Sequence, residues 1–252
     1  MVATEDKSIA LGHPSYVWRQ GQERRLGLVL KHVDLDGKRV LDVGCGVGAY
    51  LRQFARFTPK AYGVELDMER LAQARQAVDQ ALPFRTGCSV LQAVAEALPL
   101  RAGTFDMVLL HEVLEHVHDD AQALSEACRV VRRGGRIVIY APNRLYPLET
   151  HGFYLGKRYI FRLAPLINYL PGRLRRRLVP HARCYLPRDL RRLMKGLPVR
   201  TLHWGCVYPG FDNIAARRRW VARLLRGLTY GLEGTPLRAF GLSHFLVLEK
   251  TA

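Results

Sequence analysis

A chain of 252 residues, 48% of them hydrophobic, is long enough for one α/β domain with a substantial core, or for a domain carrying an inserted lobe. No run approaches the ~20 apolar residues of a membrane-spanning helix, and the opening MVATEDKSIALGHPSY lacks the basic and apolar regions of a secretory leader. The net charge of +17 is concentrated: Leu155 to Arg226 holds 18 Lys+Arg against the two acids Asp189 and Asp212, while the remainder holds 21 basic and 20 acidic residues, so one region calls for an anionic partner or surface.

Taken in chain order, residues 1 to 38 suggest a helical entry segment with Leu26, Val29 and Leu30 as its apolar face. Lys38 to Val43 predicts a buried strand ending at glycines, and Ala49 to Phe57 a helix. Ala61 to Glu65 is a second strand. Met68 to Ala81 is a helix with Leu71, Ala74 and Val78 at helical spacing. Ser89 to Val94 and Phe105 to Leu110 are strands three and four. Ala121 to Val131 is a helix stopped by Gly134-Gly135, and Arg136 to Tyr140 is strand five. This alternation predicts βαβ units in a doubly wound, Rossmann-like, mostly parallel α/β sheet with helices on both faces.

After Pro142 the rhythm breaks into a proline-punctuated, basic, partly helical stretch; strands return at Val199 to Tyr208 and Ser243 to Lys250. The expected organisation is a core over 1–142, a basic substrate or lid insertion over 143–198, and terminal strands over 199–252 interrupted by a basic amphipathic helix at about 214–230. The five cysteines (Cys45, Cys88, Cys128, Cys184, Cys206) are odd in number and form no C-x-x-C. Neither a disulfide framework nor a zinc cluster is suggested, and a cytoplasmic setting is the default.

The segment VLDVGCGVGAY, residues 40–50, places Gly44, Gly46 and Gly48 directly after strand one. In an open parallel sheet, ligands sit beyond the carboxyl ends of the strands, and a glycine turn there lets backbone approach them. Glu65 closes strand two, where a carboxylate can accept hydrogen bonds from both hydroxyls of an adenosine ribose. Gly44-x-Gly46-x-x-Ala49 also fits a dinucleotide fingerprint, which alone is weak. Asp42, two residues before the first glycine, stands where dinucleotide-binding strands are usually apolar.

VLDVGCGVGAY resembles motif I of the class I S-adenosylmethionine-dependent methyltransferases, and YGVELD resembles their acidic motif after strand two. AEALPLRAGTFDMVLLHEVLEHV and RVVRRGGRIVIYAPN resemble the segments around strands four and five. HARCYLPRDLRRLM and GLSHFLVLEK resemble late segments of the same family, of the kind found in ubiquinone biosynthesis. The resemblance implies a seven-stranded sheet and S-adenosyl-L-methionine as cofactor. It implies that Gly44, Gly46 and Gly48 lie against the methionine part and that Asp42 holds its amino group. Glu65 would bind the ribose, with Leu66 beside the adenine and Ala95 and Glu96 at its edge. His111 would contribute backbone contacts near the sulfonium, and Arg24 or Arg25 would pair with the carboxylate. Val94 and Arg133 depart from the family's usual aspartate and proline.

The acceptor implied is a small or lipid-like molecule methylated on oxygen or carbon; RNA methylation, or a non-catalytic cofactor-binding scaffold at an anionic surface, are the alternatives. His111 and His116 are five apart, off the one-face spacing of helical zinc ligands, so no metal is expected. His151 and His116 are the candidate bases for a hydroxyl acceptor. His181 is a further candidate, and Tyr154 would position the substrate; bracing roles for these side chains stand beside the catalytic ones.

In the basic region, Ile214, Val221, Leu224, Leu225 and Leu228 form a helical stripe beside Arg217, Arg218, Arg219, Arg223 and Arg226. That pattern suits peripheral contact with an anionic membrane. It also suits a solvated face whose arginine stems cover the core and, less well, nucleic acid, since no RNA-reading signature accompanies it.

Overall fold

The structure, a computed structural model, describes residues 19–81 and 88–252. The expectations for residues 1–18 lie outside this range. Helix α1 (Gln20–His32) leads into β1 (Val40–Val43), α2 (Ala49–Phe54), β2 (Ala61–Glu65), α3 (Met68–Ala81) and β3 (Ser89–Gln92). Next come β4 (Phe105–His111), α4 (Asp120–Val130) and β5 (Val131–Pro142). A seven-stranded sheet is completed by β10 (Val199–Val207) and β11 (Ser243–Lys250), in the order β10-β11-β5-β4-β1-β2-β3. β1 pairs parallel with both β2 and β4, and β11 runs antiparallel between β5 and β10. Chain direction across the sheet therefore reverses beside β1, and the crevice beyond β1 and β4 is a topological switch point.

The strands build two cores by alternation. Val108 and Leu110 of β4, Ile137 and Ile139 of β5, and Leu246 and Leu248 of β11 join Ala123, Leu124 and Ala127 of α4 on one face. Met107 and Leu109, Val138 and Tyr140, and Phe245 and Val247 join Leu26, Val29, Leu71 and Ala74 on the other. Each such side chain contributes roughly 1.5–3 kcal/mol on full burial. The period-2 pattern with both faces covered explains why these strands appear in the sequence as continuous apolar runs.

Two boundaries differ from expectation. Helix α4 ends at Val130, one residue from expectation, but β5 begins at Val131 instead of Arg136 and continues through both glycines. Val131 is wholly buried, and a Cβ on Gly135 would lie 2.9 Å from the Asp106 carbonyl oxygen, so Gly135 permits a close strand approach, while Gly134 takes a φ of +73. The predicted helix at about 214–230 is two pieces, α7 (Asp212–Ala215) and α8 (Arg219–Leu232).

Between β5 and β10, residues 143–198 form two short antiparallel pairs, β6 (Leu148–Glu149) with β9 (Ala164–Pro165) and β7 (Phe153–Leu155) with β8 (Arg158–Ile160). Helices α5 (Gly172–Leu178) and α6 (Pro187–Met194) follow. Leu190 of α6 packs into the main core, whereas Ala164, Ile167, Val179 and Ala182 make a small separate cluster.

Candidate active site

A cavity of about 390 Å³ opens at the carboxyl ends of the central strands, lined among others by Gly44, Glu65, Leu66, Ala95, Glu112 and His116. It has the size of a small-molecule site. The three glycines that the sequence places together serve different needs. Gly44 has φ +69, and a Cβ there would lie 2.7 Å from Val113 Cγ2. Gly46 (φ +55) turns its N–H onto Glu65 Oε2 at 2.8 Å. Gly48 (φ +79) starts α2, where a Cβ would meet the Ala74 backbone at 3.2 Å. Gly48 thus serves helix packing, and neither it nor Gly46 lines the cavity.

Glu65 is 7% exposed. Its Oε1 accepts from the amides of Leu66 and Asp67, each at 3.0 Å, so three backbone donors hold the carboxylate at the cavity wall. Asp42 is 2% exposed; burial, and then the charge of Glu65, raise its pKa well above the ordinary range. A buried acid beside a second carboxylate suits a cation: an arriving ammonium would restore its charge. Val94 and Ala95 border the cavity. Glu96 also borders it, but its Oε1 accepts from the amides of His118 and Asp119 at 2.7 and 3.2 Å. Glu96 therefore braces the entry to α4, which leaves backbone groups near Val94 for an adenine edge.

The arginine expectation is corrected. Arg24 pairs with Glu233 and stacks 3.8 Å over the Tyr230 ring. Arg25 Nη1 reaches Glu112 Oε1 at 2.8 Å and His111 Nε2 at 2.9 Å, and its Nη2 donates to Ser243 Oγ. Both cations are committed to internal partners. His111 is consequently a neutral acceptor: burial, and then Arg25, lower its pKa to about 3. Its ring stacks near Tyr50 and Tyr140 at 4.6 and 5.1 Å, away from the cavity lining. Glu112 takes a left-handed φ of 55°, a strained conformation for this residue. Burial alone would raise its pKa, but Arg25 and then His111 hold it below the ordinary range. Sequence patterning assigns Glu112 no role, although it lies within the segment AEALPLRAGTFDMVLLHEVLEHV.

The candidate bases do meet. His116 lines the cavity, and its ring lies 5.5 Å from that of His151. Polar atoms of Glu115, His116 and His151 fall within 4.8 Å of one another, a spacing that a water or a cation could bridge. His116 Nδ1 donates to the His181 carbonyl at 3.1 Å, which leaves Nε2 as the acceptor; burial, and then His151, lower its pKa to about 4. Glu115 is buried against Glu112, and burial followed by the Glu112 charge raises its pKa well above the ordinary range. His181 also lines the cavity, and Tyr154 stands 5.9 Å from it, ring to ring. His151 itself sits behind His116 and does not line the cavity, with Nδ1 3.0 Å from Glu149 Oε1.

An open doubly wound sheet, a glycine turn after β1 and an acid closing β2 define a nucleoside-cofactor-binding α/β domain. Residues 41–139 match the family described as Methyltransferase domain. Among curated relatives, the ubiquinone biosynthesis O-methyltransferase of Aromatoleum aromaticum is 34% identical over 144 residues, 56% of this chain and 59% of that protein. The chain thus spans about three fifths of the length of such relatives. A solved S-adenosylmethionine-dependent methyltransferase from Mesorhizobium loti shares the fold with a TM-score of 0.61 at 18% identity, covering 89% of this chain and 96% of that one. The magnesium protoporphyrin IX methyltransferase of Synechocystis PCC 6803, solved with bound S-adenosylhomocysteine, gives 0.57 at 15% identity, over 91% and 81%. Residues 41–139 thus match a methyltransferase domain, on a fold shared with solved S-adenosylmethionine-dependent methyltransferases.

Proposed function

We propose that the chain transfers a methyl group from S-adenosyl-L-methionine to a hydroxyl or carbon of a small or lipid-like acceptor. The observation that carries this reading is the cavity at the switch point, walled by Glu65 and backed by the buried Asp42. The cofactor supplies an electrophilic methyl. The chain's own task is to orient an acceptor against it and exclude water, and orientation is worth up to ~7–11 kcal/mol in favourable intramolecular cases. His116 at the cavity wall and His151 behind it are the groups placed to accept an acceptor's proton, a contribution of typically ~10²–10⁴-fold. Residues 143–198, which supply His151 and His181, would form the acceptor side.

The acceptor is met at an anionic membrane surface. Trp220, Leu224 and Leu228 share one face of α8 and are 69%, 56% and 60% exposed, beside the exposed Arg217, Arg218, Arg219 and Arg223. The turn at Pro236–Phe240 packs beside α8 and leaves Leu237 and Phe240 exposed. This apolar face ringed by cations matches lipid headgroups better than free water. All five cysteines are free, which agrees with a cytoplasmic location.

Incubation with methyl-labelled S-adenosylmethionine and cell extract tests the reaction. Label in the lipid or small-molecule fraction is expected. Label confined to RNA, or no label beside a positive control, contradicts it.

A further inference from the structure

The block of arginines after Leu155 looks uniform in the sequence, but one member behaves unlike the rest. Arg175 on α5 is 4% exposed, whereas Arg173, Arg176 and Arg177 face solvent. Its Nη2 donates to Glu149 Oε2 at 2.7 Å, its Nη1 to the Ala182 carbonyl at 2.9 Å and its Nε to Asn168 Oδ1 at 3.1 Å. Asn168 in turn donates to the carbonyls of Tyr146 and Leu148 at 3.1 and 3.2 Å. The buried guanidinium is therefore fully engaged, and its partners fix the chain on both sides of Glu149.

Glu149, 2% exposed, turns its other oxygen to the neighbouring histidine. Oε1 accepts from the amides of Thr150 and His151, both at 2.9 Å, and lies 3.0 Å from His151 Nδ1. An ionised carboxylate offers only lone pairs, so Nδ1 must carry the proton and Nε2 of the neutral ring is bare. Burial opposes the charge on Glu149, but hydrogen bonding to His151 and the nearby Arg175 hold its pKa down at about 2. The backbone of His151 is pinned as well: its carbonyl accepts from Tyr159 Oη at 2.7 Å and from His181 Nε2 at 3.0 Å. A Cβ on the following Gly152 (φ +77) would lie 2.6 Å from Tyr159 Oη, so the turn tolerates only glycine.

A buried ion pair is an unfavourable way to hold a cluster as small as Ala164, Ile167, Val179 and Ala182, because apolar side chains of similar volume would serve as well or better. Here the pair is spent on the orientation of one imidazole 5.5 Å from the cavity-lining His116. We propose that Glu149 and Arg175 are positioning residues that lock His151 with Nδ1 protonated and Nε2 free, so that folding of the segment after β5 and preparation of the base are one event. The catalytic consequence rests on the methyl-transfer reading; the tautomer does not.

The first test is a ring-nitrogen NMR correlation on the whole ¹⁵N-labelled chain at neutral pH, with His151 assigned by its loss in His151→Asn. Protonation at Nδ1 is expected, and a ring protonated at Nε2 overturns the proposal whether or not any variant folds. The second uses the double variant Glu149→Gln with Arg175→Gln, which replaces the ion pair by two neutral amides. The tautomer is expected to become mixed and turnover to fall about 10- to 100-fold, with KM for S-adenosylmethionine held within about twofold. Restoring Glu149 alone should recover the Nδ1–H tautomer. An unchanged tautomer and turnover in the double variant overturn the positioning role. A wild-type chain that shows the Nδ1–H tautomer but transfers no methyl group refutes the activity and leaves the positioning intact.

Discussion

Among single residues, the crevice is governed by what burial does to charge. His111 keeps its proton off because its site is buried and faces the Arg25 guanidinium, which lowers its pKa from the ordinary 6.5 to about 3. The unfolded chain therefore takes up this proton first as the pH falls. Stability from His111 is present above pH 6.5 and is lost between 6.5 and about 3. By pH 5 the loss is about 2 kcal/mol. Urea unfolding at pH 7 and pH 5 should show wild type losing about that much more than His111→Gln; equal losses would place the ring in contact with water. Glu65 was singled out from its position closing β2, and the fold sets it at the cavity wall; Asp42 is buried beside it. The pairing of Arg25 with Glu112 was not legible: it joins positions 87 residues apart, and only the folded chain brings them together.

Among elements, the strands and the helices α3 and α4 follow directly from apolar periodicity, since both faces of the sheet are covered. The start of β5 did not, because Gly134-Gly135 suggests a break before the strand and lies instead inside it. The stripe predicted over 214–228 is helical, but tertiary contacts bury only Ala222 within α8 and leave Leu224 and Leu228 outside. An apolar face that finds no core needs another surface. Co-sedimentation with vesicles containing anionic lipid should retain the protein at low salt. Trp220→Ala combined with Leu224→Ser should weaken retention about tenfold or more with cofactor affinity unchanged. Equal retention of the double variant would assign α8 to solvent and remove it from the membrane contact. The same basic composition hid Arg175, since a sequence shows the charge of an arginine but not its burial.

Across the whole molecule, two halves meet at one crevice. The parallel half supplies the glycine turn, Asp42 and Glu65; the segment after β5 brings His151 and His181 next to His116. The first half matches a methyltransferase domain over residues 41–139, a resemblance carried in the sequence by four ordered segments, whereas the part after β5 resembles that family only in short late segments and its geometry appears only on folding. The most direct measurement is titration calorimetry of the whole chain with S-adenosylhomocysteine, repeated on Asp42→Asn and Glu65→Gln. One molecule should bind per chain, and each variant should lose roughly 1.5–3 kcal/mol of binding, the worth of a hydrogen bond to a charged group. No binding by the folded wild type, or undiminished affinity in both variants, would contradict the placement of the cofactor in this crevice.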